Sequence, residues 1–379
     1  MSRSSSSLPP QARVTVAIIG AGPAGIGMAR VLRDLAIPHV RIFERKSIGA
    51  SFKLWPGTTH FITPSFPSNA FGLTDLNAVS FDSSPAHVLR REHMTGAEYA
   101  IYLEEAVDAF GLDVTTGIDI FGLDPDGSDI VLHTSRGEVR TRFVIWAAGQ
   151  FQYPNMALPG SEHGIHSSQI RLWSDYPGGE AIVVGGYESG IDAAIGLAAA
   201  GKSVTLLSRS APWESEDGDP GIALSPLTCQ RLNMALQQKR PIKLVGDADI
   251  VRIERHGEQV ALRTADGRVW TTQSFPVLAT GFTGSTSLIG HWLERDGEGH
   301  AALTGHDEST ILSGLFLVGP EVCHQGHPLS FIYEFRQRFA AVGHAIAERL
   351  GIDTAPLDAY RARNMFLDEA DCCAHESAC

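Results

Sequence analysis

The stretch "VAIIGAGPAGIGMARVLRDLAIPHVRIFER", Val16–Arg45, decides the fold. A short β-branched run from Val14 to Ile19 predicts a buried parallel strand. Glycines follow at once, and Ala24 to Leu35 then carries helical spacing. Pro38 and His39 break that spacing, and Val40 to Phe43 predicts the next strand. Together these form one βαβ unit. Gly20, Gly22 and Gly25 give G-x-G-x-x-G between strand and helix, with Pro23 and Ala24 inside the motif. The first glycine permits a tight turn. The second lets a pyrophosphate approach the backbone, and the third lets helix and sheet pack closely. The helix N-terminus offers free N–H groups and a positive dipole end to an anion. Glu44, followed by Arg45, closes the second strand, where an acid meets the ribose hydroxyls of a dinucleotide.

A second such unit lies further along the chain, in "VVGGYESGIDAAIGLAAAGKSVTLLSR", Val183–Arg209. Gly185, Gly186 and Gly190 supply the turn, with Tyr187, Glu188 and Ser189 leading into the helix. The end of its next strand differs. Ser208 and Arg209 stand where the first unit has its acid. A cation there suits a 2′-phosphate and an acid would repel one, so NADPH is favoured over NADH. Two dinucleotide sites on one chain point to electron transfer between a nicotinamide donor and a tightly held flavin, FAD.

The rest of the composition fits an enzyme of this kind. Hydrophobic residues make up 43% and charged residues 19% of 379, enough for a substantial core. The net charge of -13 argues against a nucleic-acid partner, which needs a basic surface. No apolar run reaches the ~20 residues that span a bilayer. "MSRSSSSLPPQAR" lacks the apolar segment of a secretory signal. Five cysteines without framework spacing suit a reducing compartment, so the expected location is the cytoplasm. The expected partners are a small-molecule substrate or electron acceptor and a second copy in a homodimer, with no nucleic acid and no membrane.

Pattern along the chain predicts an α/β fold of two Rossmann-like three-layer domains. Each carries a small antiparallel meander, and a long C-terminal helix runs from Leu329 to Leu350. Residues 1–12 read as a disordered tail. Residues 13–155 and 275–355 read as a discontinuous FAD domain, because "GLFLVG" (314–319) is the strand that closes its sheet. Residues 156–274 read as an inserted NADPH domain, and residues 356–379 as a cysteine-containing tail. The meanders are expected within Asp113–Val144 and Ile242–Thr272. "FVIWAAGQF" (143–151) and "FPVLATGF" (275–282) read as matching closing strands, each ending in a glycine. Residues 46–94 are irregular, and a long irregular stretch inside a domain usually has a function.

At this point the chain resembles the flavoproteins with two dinucleotide-binding domains, over about residues 12–350. Within them it is most similar to the flavin-containing monooxygenase-like group, including flavoproteins encoded beside cation-efflux genes. "IGASFKLWPGTTHFITPSFPSNAFGL" (48–73) resembles the group's GG-x-W segment and the T-P loop that lines the isoalloxazine. By that likeness Ser51, Phe52, Thr63 and Pro64 meet the flavin, and Lys53, Trp55 and His166 are catalytic candidates. His166 and Ser167 in "LPGSEHGIHSSQI" (158–170) match the linker His-Ser signature. Gly149, Thr280, Gly281 and Gly319 match cofactor-contacting glycine motifs. Two departures are Gly49-Ala50 for the usual tandem glycine and Phe52 for the usual tryptophan. The linker also lacks the full Baeyer–Villiger fingerprint.

Three fates for the electrons follow. The first is a monooxygenase, in which the flavin passes them to oxygen and a small substrate. The second is a reductase of a disulfide, quinone or metal acceptor, working without the CxxC that is absent here. In that version Cys323, His324 and His327 after the flavin strand are candidates, since a neighbouring imidazolium favours thiolate. Tyr333 and Arg336, near the start of the last helix, are placed beside substrate or ring by the same likeness. The third is a non-enzymatic redox or metal sensor, in which Cys372, Cys373, His375 and Cys379 hold a soft metal.

Overall fold

The computed structural model describes residues 12–69, 71–217 and 223–368. Strand β1 (Ala12–Ile19), helix α1 (Pro23–Asp34) and strand β2 (Val40–Glu44) form the first βαβ unit. Helices α2 (Ala50–Lys53), α3 (Pro85–Leu89) and α4 (Gly96–Phe110) follow. Thr95 starts α4 through a capping box, its hydroxyl accepting from Glu98 N–H while the Glu98 carboxylate accepts from Thr95 N–H. Strands β3 (Val114–Thr116), β4 (Ile120–Asp126), β5 (Asp129–Thr134) and β6 (Gly137–Trp146) complete this half.

Two expectations change here. Val114–Thr116 is not part of an antiparallel meander, since it runs parallel to β2 at the sheet edge. The last meander strand and "FVIW" are one continuous strand. The start of β6 pairs antiparallel with β5, while its length runs parallel beside β1. The meander is thus an extension of the main sheet, whose order is β3-β2-β1-β6-β5-β4.

The second half begins with β7 (Ile165–His166), β8 (Glu180–Val184), helix α5 (Glu188–Ala199) and β9 (Ser203–Leu207). Helix α6 (Pro226–Gln237) leads to β10 (Ile242–Val245), and β11 (Ile250–His256), β12 (Gln259–Thr264) and β13 (Val269–Thr272) form a separate three-stranded antiparallel sheet. Ile242–Val245, expected in the meander, instead extends the parallel sheet beside β9. Strand β14 (Val277–Leu278) joins the same sheet, in the order β10-β9-β8-β14-β7, so the second unit runs past the boundary expected at residue 274.

Strand β15 (Leu315–Leu317) pairs in parallel with Val144–Trp146, which closes the first sheet with a strand that follows the second unit in the chain. A hairpin of β16 (Cys323–His324) and β17 (His327–Pro328) precedes the last helices. The long helix expected from Leu329 is broken. Helix α7 (Ile332–Phe335) tightens into a 3-10 turn at Arg336–Arg338 before α8 (Phe339–Leu350). That turn carries two buried guanidiniums with different partners. Arg336 donates to the carbonyls of Asp75 and Ala78, while Arg338 pairs with the buried Asp307. The residues after 356 are not simply a tail. Leu357, Tyr360 of α9 (Asp358–Arg361) and Met365 are buried in the core of the first sheet. Among the described residues, no helix is long and apolar enough to cross a membrane.

Candidate functional site

The first glycine turn and the start of helix α5, which follows the second, face a shared cavity of about 460 Å³. Gly20, Gly22, Pro23, Ala24, Glu44 and Arg45 line one part of it, and Glu188 and Ser189 line another. The first turn fits an FAD pyrophosphate. Gly20 holds φ +109°, and a Cβ there would lie 2.5 Å from Ala147 O. A Cβ on Gly25 would lie 2.0 Å from Gly20 O, so strand and helix meet through backbone alone. At Gly22 a Cβ would meet nothing within 4 Å, and the missing side chain leaves the cradle open. No side chain caps α1 there, which leaves its N-terminus to an anion. Glu44 accepts from Ala21 N–H at 2.9 Å and from Lys46 N–H at 2.7 Å.

The second turn repeats the backbone logic with a different filling. Gly185 holds φ +111°, and a Cβ on Gly190 would lie 1.9 Å from Gly185 O. Tyr187 takes the N-cap position that Gly22 has in the first unit, again with no side-chain cap. Gly186 is crowded by the Ser208 side chain, 2.3 Å from where its Cβ would be. Ser208 is therefore buried packing at the turn, while Arg209 is exposed. The Glu188 carboxylate turns away from its own helix and accepts from Ser225 N–H and Thr228 Oγ1 at the start of α6.

Of the flavin-side candidates, Ser51, Phe52, Trp55, Thr63 and Gly149 line the cavity. Phe52, Trp55 and Phe61 form an aromatic wall with ring centroids 5.1 to 5.5 Å apart, and Phe331 and Phe335 add further apolar surface. Gly319 lies against the start of α1, 3.2 Å from Ala24 Cβ by its own absent Cβ.

Other candidates are elsewhere. Lys53 leaves the cavity, and its ammonium pairs with Glu104 at 2.5 Å on α4. Pro64 is exposed and off the cavity wall. His166 is buried beside the cavity-lining Ser167 and Ser168: its Nδ1 lies 2.8 Å from Ser168 Oγ and its Nε2 3.0 Å from Gly281 O. Burial pushes its pKa down, with the Gly281 carbonyl opposing. It clasps the linker to the β14 loop, where Thr280 Oγ1 also donates to Asn155 O at 2.6 Å. Cys323, His324 and His327 do not line the cavity. His324 Nε2 is held by Asp307 at 2.5 Å, and burial pushes the Cys323 thiol up, away from a reactive thiolate. Tyr333 stacks on Phe331. Arg336 is buried behind the wall, its pKa pushed down to about 10 by desolvation. Cys372, Cys373, His375 and Cys379 lie outside the described residues.

The structure adds cavity residues that sequence reading passed over. Asp192 on α5 accepts from Thr59 Oγ1 at 2.6 Å and lies 2.6 Å from Arg231 Nη2 on α6, which ties the two units together. His60 and Asn77 also line the wall. The signal for α6 was present in Ser225-Pro226, an N-cap serine followed by proline in the first turn.

Residues 17–319 match the pyridine nucleotide-disulphide oxidoreductase family. The chain belongs to that family. FAD and a nicotinamide nucleotide are the cofactors this implies. The ferredoxin–NADP reductase of Gluconacetobacter diazotrophicus is 26% identical over 366 residues, covering 91% of this chain and 94% of that protein. The oxidoreductase CzcO of Bacillus velezensis is 25% identical over 185 residues, covering 48% of this chain and 50% of that protein. Among solved structures, the bacillithiol disulfide reductase Bdr of Staphylococcus aureus has a TM-score of 0.72 at 18% identity, over 89% of this chain and 99% of that one. A flavin-containing monooxygenase from Stenotrophomonas maltophilia has a TM-score of 0.70 at 17% identity, over 90% of this chain and 100% of that one. These likenesses establish the fold. Among the described residues, no cysteine lines the cavity.

Proposed function

We propose that the chain oxidises NADPH through bound FAD and delivers the electron pair to an external acceptor that meets the flavin directly. The observation that carries this reading is the single cavity that joins the first glycine turn to the start of α5, with no cysteine among its described lining residues. Bound FAD supplies the chemistry, taking a hydride from the nicotinamide and returning two electrons to the acceptor. The first turn holds the pyrophosphate of FAD, and Glu44 reaches its ribose hydroxyls. The N-terminus of α5 holds the second pyrophosphate, with Arg209 toward the 2′-phosphate.

The acceptor this cavity suits best is oxygen with a small apolar substrate. Phe52, Trp55, Phe61, Phe331 and Phe335 give the cavity an apolar wall, the kind of surrounding that limits water at a reacting centre. A second reading, direct reduction of a disulfide, quinone or redox-protein acceptor, is favoured by the full-length similarity to a ferredoxin–NADP reductase. The test is rapid mixing of the FAD-loaded protein with NADPH without oxygen, followed by mixing with each acceptor. The reading expects NADPH to bleach the flavin and a thiol alkylator to leave that step and the next untouched. Loss of turnover on alkylation, or no bleaching at all, would sink it. Oxygen consumption coupled one-to-one to substrate oxidation selects the first acceptor. Fast reoxidation by a quinone, disulfide or redox protein without oxygen selects the second.

A further inference from the structure

We propose that His60 is the acid that delivers a proton to the acceptor as it is reduced. The inference rests on the NADPH-to-acceptor reading above and holds for oxygen and for a disulfide or quinone, the acceptors that take up protons on reduction. One NADPH supplies two electrons and one proton as hydride. Reducing A to AH2 takes two electrons and two protons, so one more proton must arrive. Oxygenation balances in the same way: NADPH, H⁺, O2 and substrate give NADP⁺, water and the oxygenated product. In both cases a group on the cavity wall can deliver that proton as a general acid.

The ionisable groups on the cavity wall fall into two clusters and His60. Glu44, Arg45, Lys46, Asp119 and Tyr153 cluster at the end where β2 finishes. Ile118 N–H bonds Glu44 O there at 3.0 Å, and Glu44 itself is held by two backbone N–H groups. Burial raises the pKa of Tyr153, which makes it a poorer proton source. At the other end Glu188 caps α6, and Asp192 is shared by Thr59 and Arg231. His60 remains. Its Nδ1 lies 2.7 Å from Thr58 O, and a carbonyl only accepts, so Nδ1 carries a proton and Nε2 is the nitrogen that exchanges one. Nε2 has no partner among the described residues.

The ring is also well placed. Residues Thr59 to Thr63 all line the cavity, beside the Phe52–Trp55–Phe61 wall. The segment is fixed rather than loose. His60 bridges Thr95 in an antiparallel β-bridge, and Phe61 N–H bonds Met94 O at 2.9 Å, next to the capped start of α4. His60 is half-buried, so it is refilled from solvent after each turnover.

The test separates the two half-reactions in FAD-loaded wild type, His60→Asn and His60→Ala. Asparagine keeps an N–H for Thr58 O but titrates nothing. The expected result is wild-type FAD content and wild-type anaerobic reduction by NADPH in both variants. The acceptor step slows by about 100-fold, the scale of a general acid, and added imidazole restores it in His60→Ala. Nitrogen NMR of 15N-histidine-labelled wild type, which reads no turnover, should show His60 protonated at Nδ1 with Nε2 bare when neutral. An acceptor step at wild-type speed, a slow step that imidazole does not restore, loss of FAD in both variants, or a proton on Nε2 alone each overturns the assignment. A wild type whose flavin NADPH fails to bleach sinks the functional reading itself, a result distinct from any of these.

Discussion

Three glycines of the first turn have three different physical duties, and single substitutions separate them. Gly25→Ala places a methyl 2.0 Å from Gly20 O inside the strand–helix contact, and neither backbone can move aside cheaply. It is expected to fold poorly, read as a lower Tm of the FAD-free protein. Gly22→Ala meets nothing in the protein itself. Its FAD-free Tm should match wild type, while FAD binds at least about tenfold more weakly, or ~1.4 kcal/mol, because the methyl fills the phosphate cradle. Equal damage by both substitutions in both measurements would contradict this division. Arg209, exposed just after β9, is the residue to which the proposed function assigns the nucleotide preference. Arg209→Ala should cut the NADPH-to-NADH ratio of kcat/KM by about tenfold, the scale of one charged hydrogen bond. An unchanged ratio would place the preference elsewhere. Residue identity alone made these positions readable. It did not report where Lys53 and His166 point, because a side chain's direction depends on partners distant in sequence: Glu104 for the lysine, the Gly281 carbonyl for the histidine.

At the scale of elements, helix α4 shows local sequence acting at full strength. Thr95 and Glu98 exchange hydrogen bonds at its start, and Gly111 ends it in a left-handed conformation at φ +58°. Thr95→Ala should cost ~1 kcal/mol in urea unfolding. The Glu98 carboxyl is held below its usual range, first by the Thr95 N–H, with burial opposing and the Thr95 hydroxyl and Arg91 assisting. A lowered carboxyl contributes stability in full above the unfolded value of ~4.3, and that contribution fades as pH falls through the folded pKa. Glu98→Gln should therefore flatten the acid side of the stability profile and leave its slope near neutrality unchanged. A steeper acid slope in the variant would contradict the sign. Helix α6 and the break at Arg336–Arg338 were harder to read. Apolar spacing continues from Phe335 to Phe339 across the break, both rings being buried, while the two guanidiniums between them find acceptors on loops far away in the chain. Periodicity does not report such contacts.

At the scale of the whole molecule, two separately cored sheets share one cavity. The first has its core along β1, β6, β15 and α8, and the second has its own around β8 and α5. Polar ties cross between them at Thr59 to Asp192 and at Gly57 N–H to Arg171 O, 3.0 Å. A ligand spanning the cavity should thus stabilise the whole chain. FAD at 100 times its dissociation constant is expected to add ~2.7 kcal/mol and raise Tm in step with its concentration. A Tm indifferent to FAD would mean that the cradle is not its site.

The sequence by itself determined the two glycine turns, the strand-helix-strand order around each, and the late strand that closes the first sheet. Those features depend on neighbours within a few residues, or on an apolar run that only a buried parallel strand satisfies. Tertiary structure alone decided that β6 is one strand serving two kinds of pairing, that Val114–Thr116 and Ile242–Val245 join parallel sheets, and that His60, Asp192 and Arg231 meet at one wall. The reason is that strand pairing and side-chain convergence are settled by which distant surfaces can be buried together. No local spacing encodes that choice.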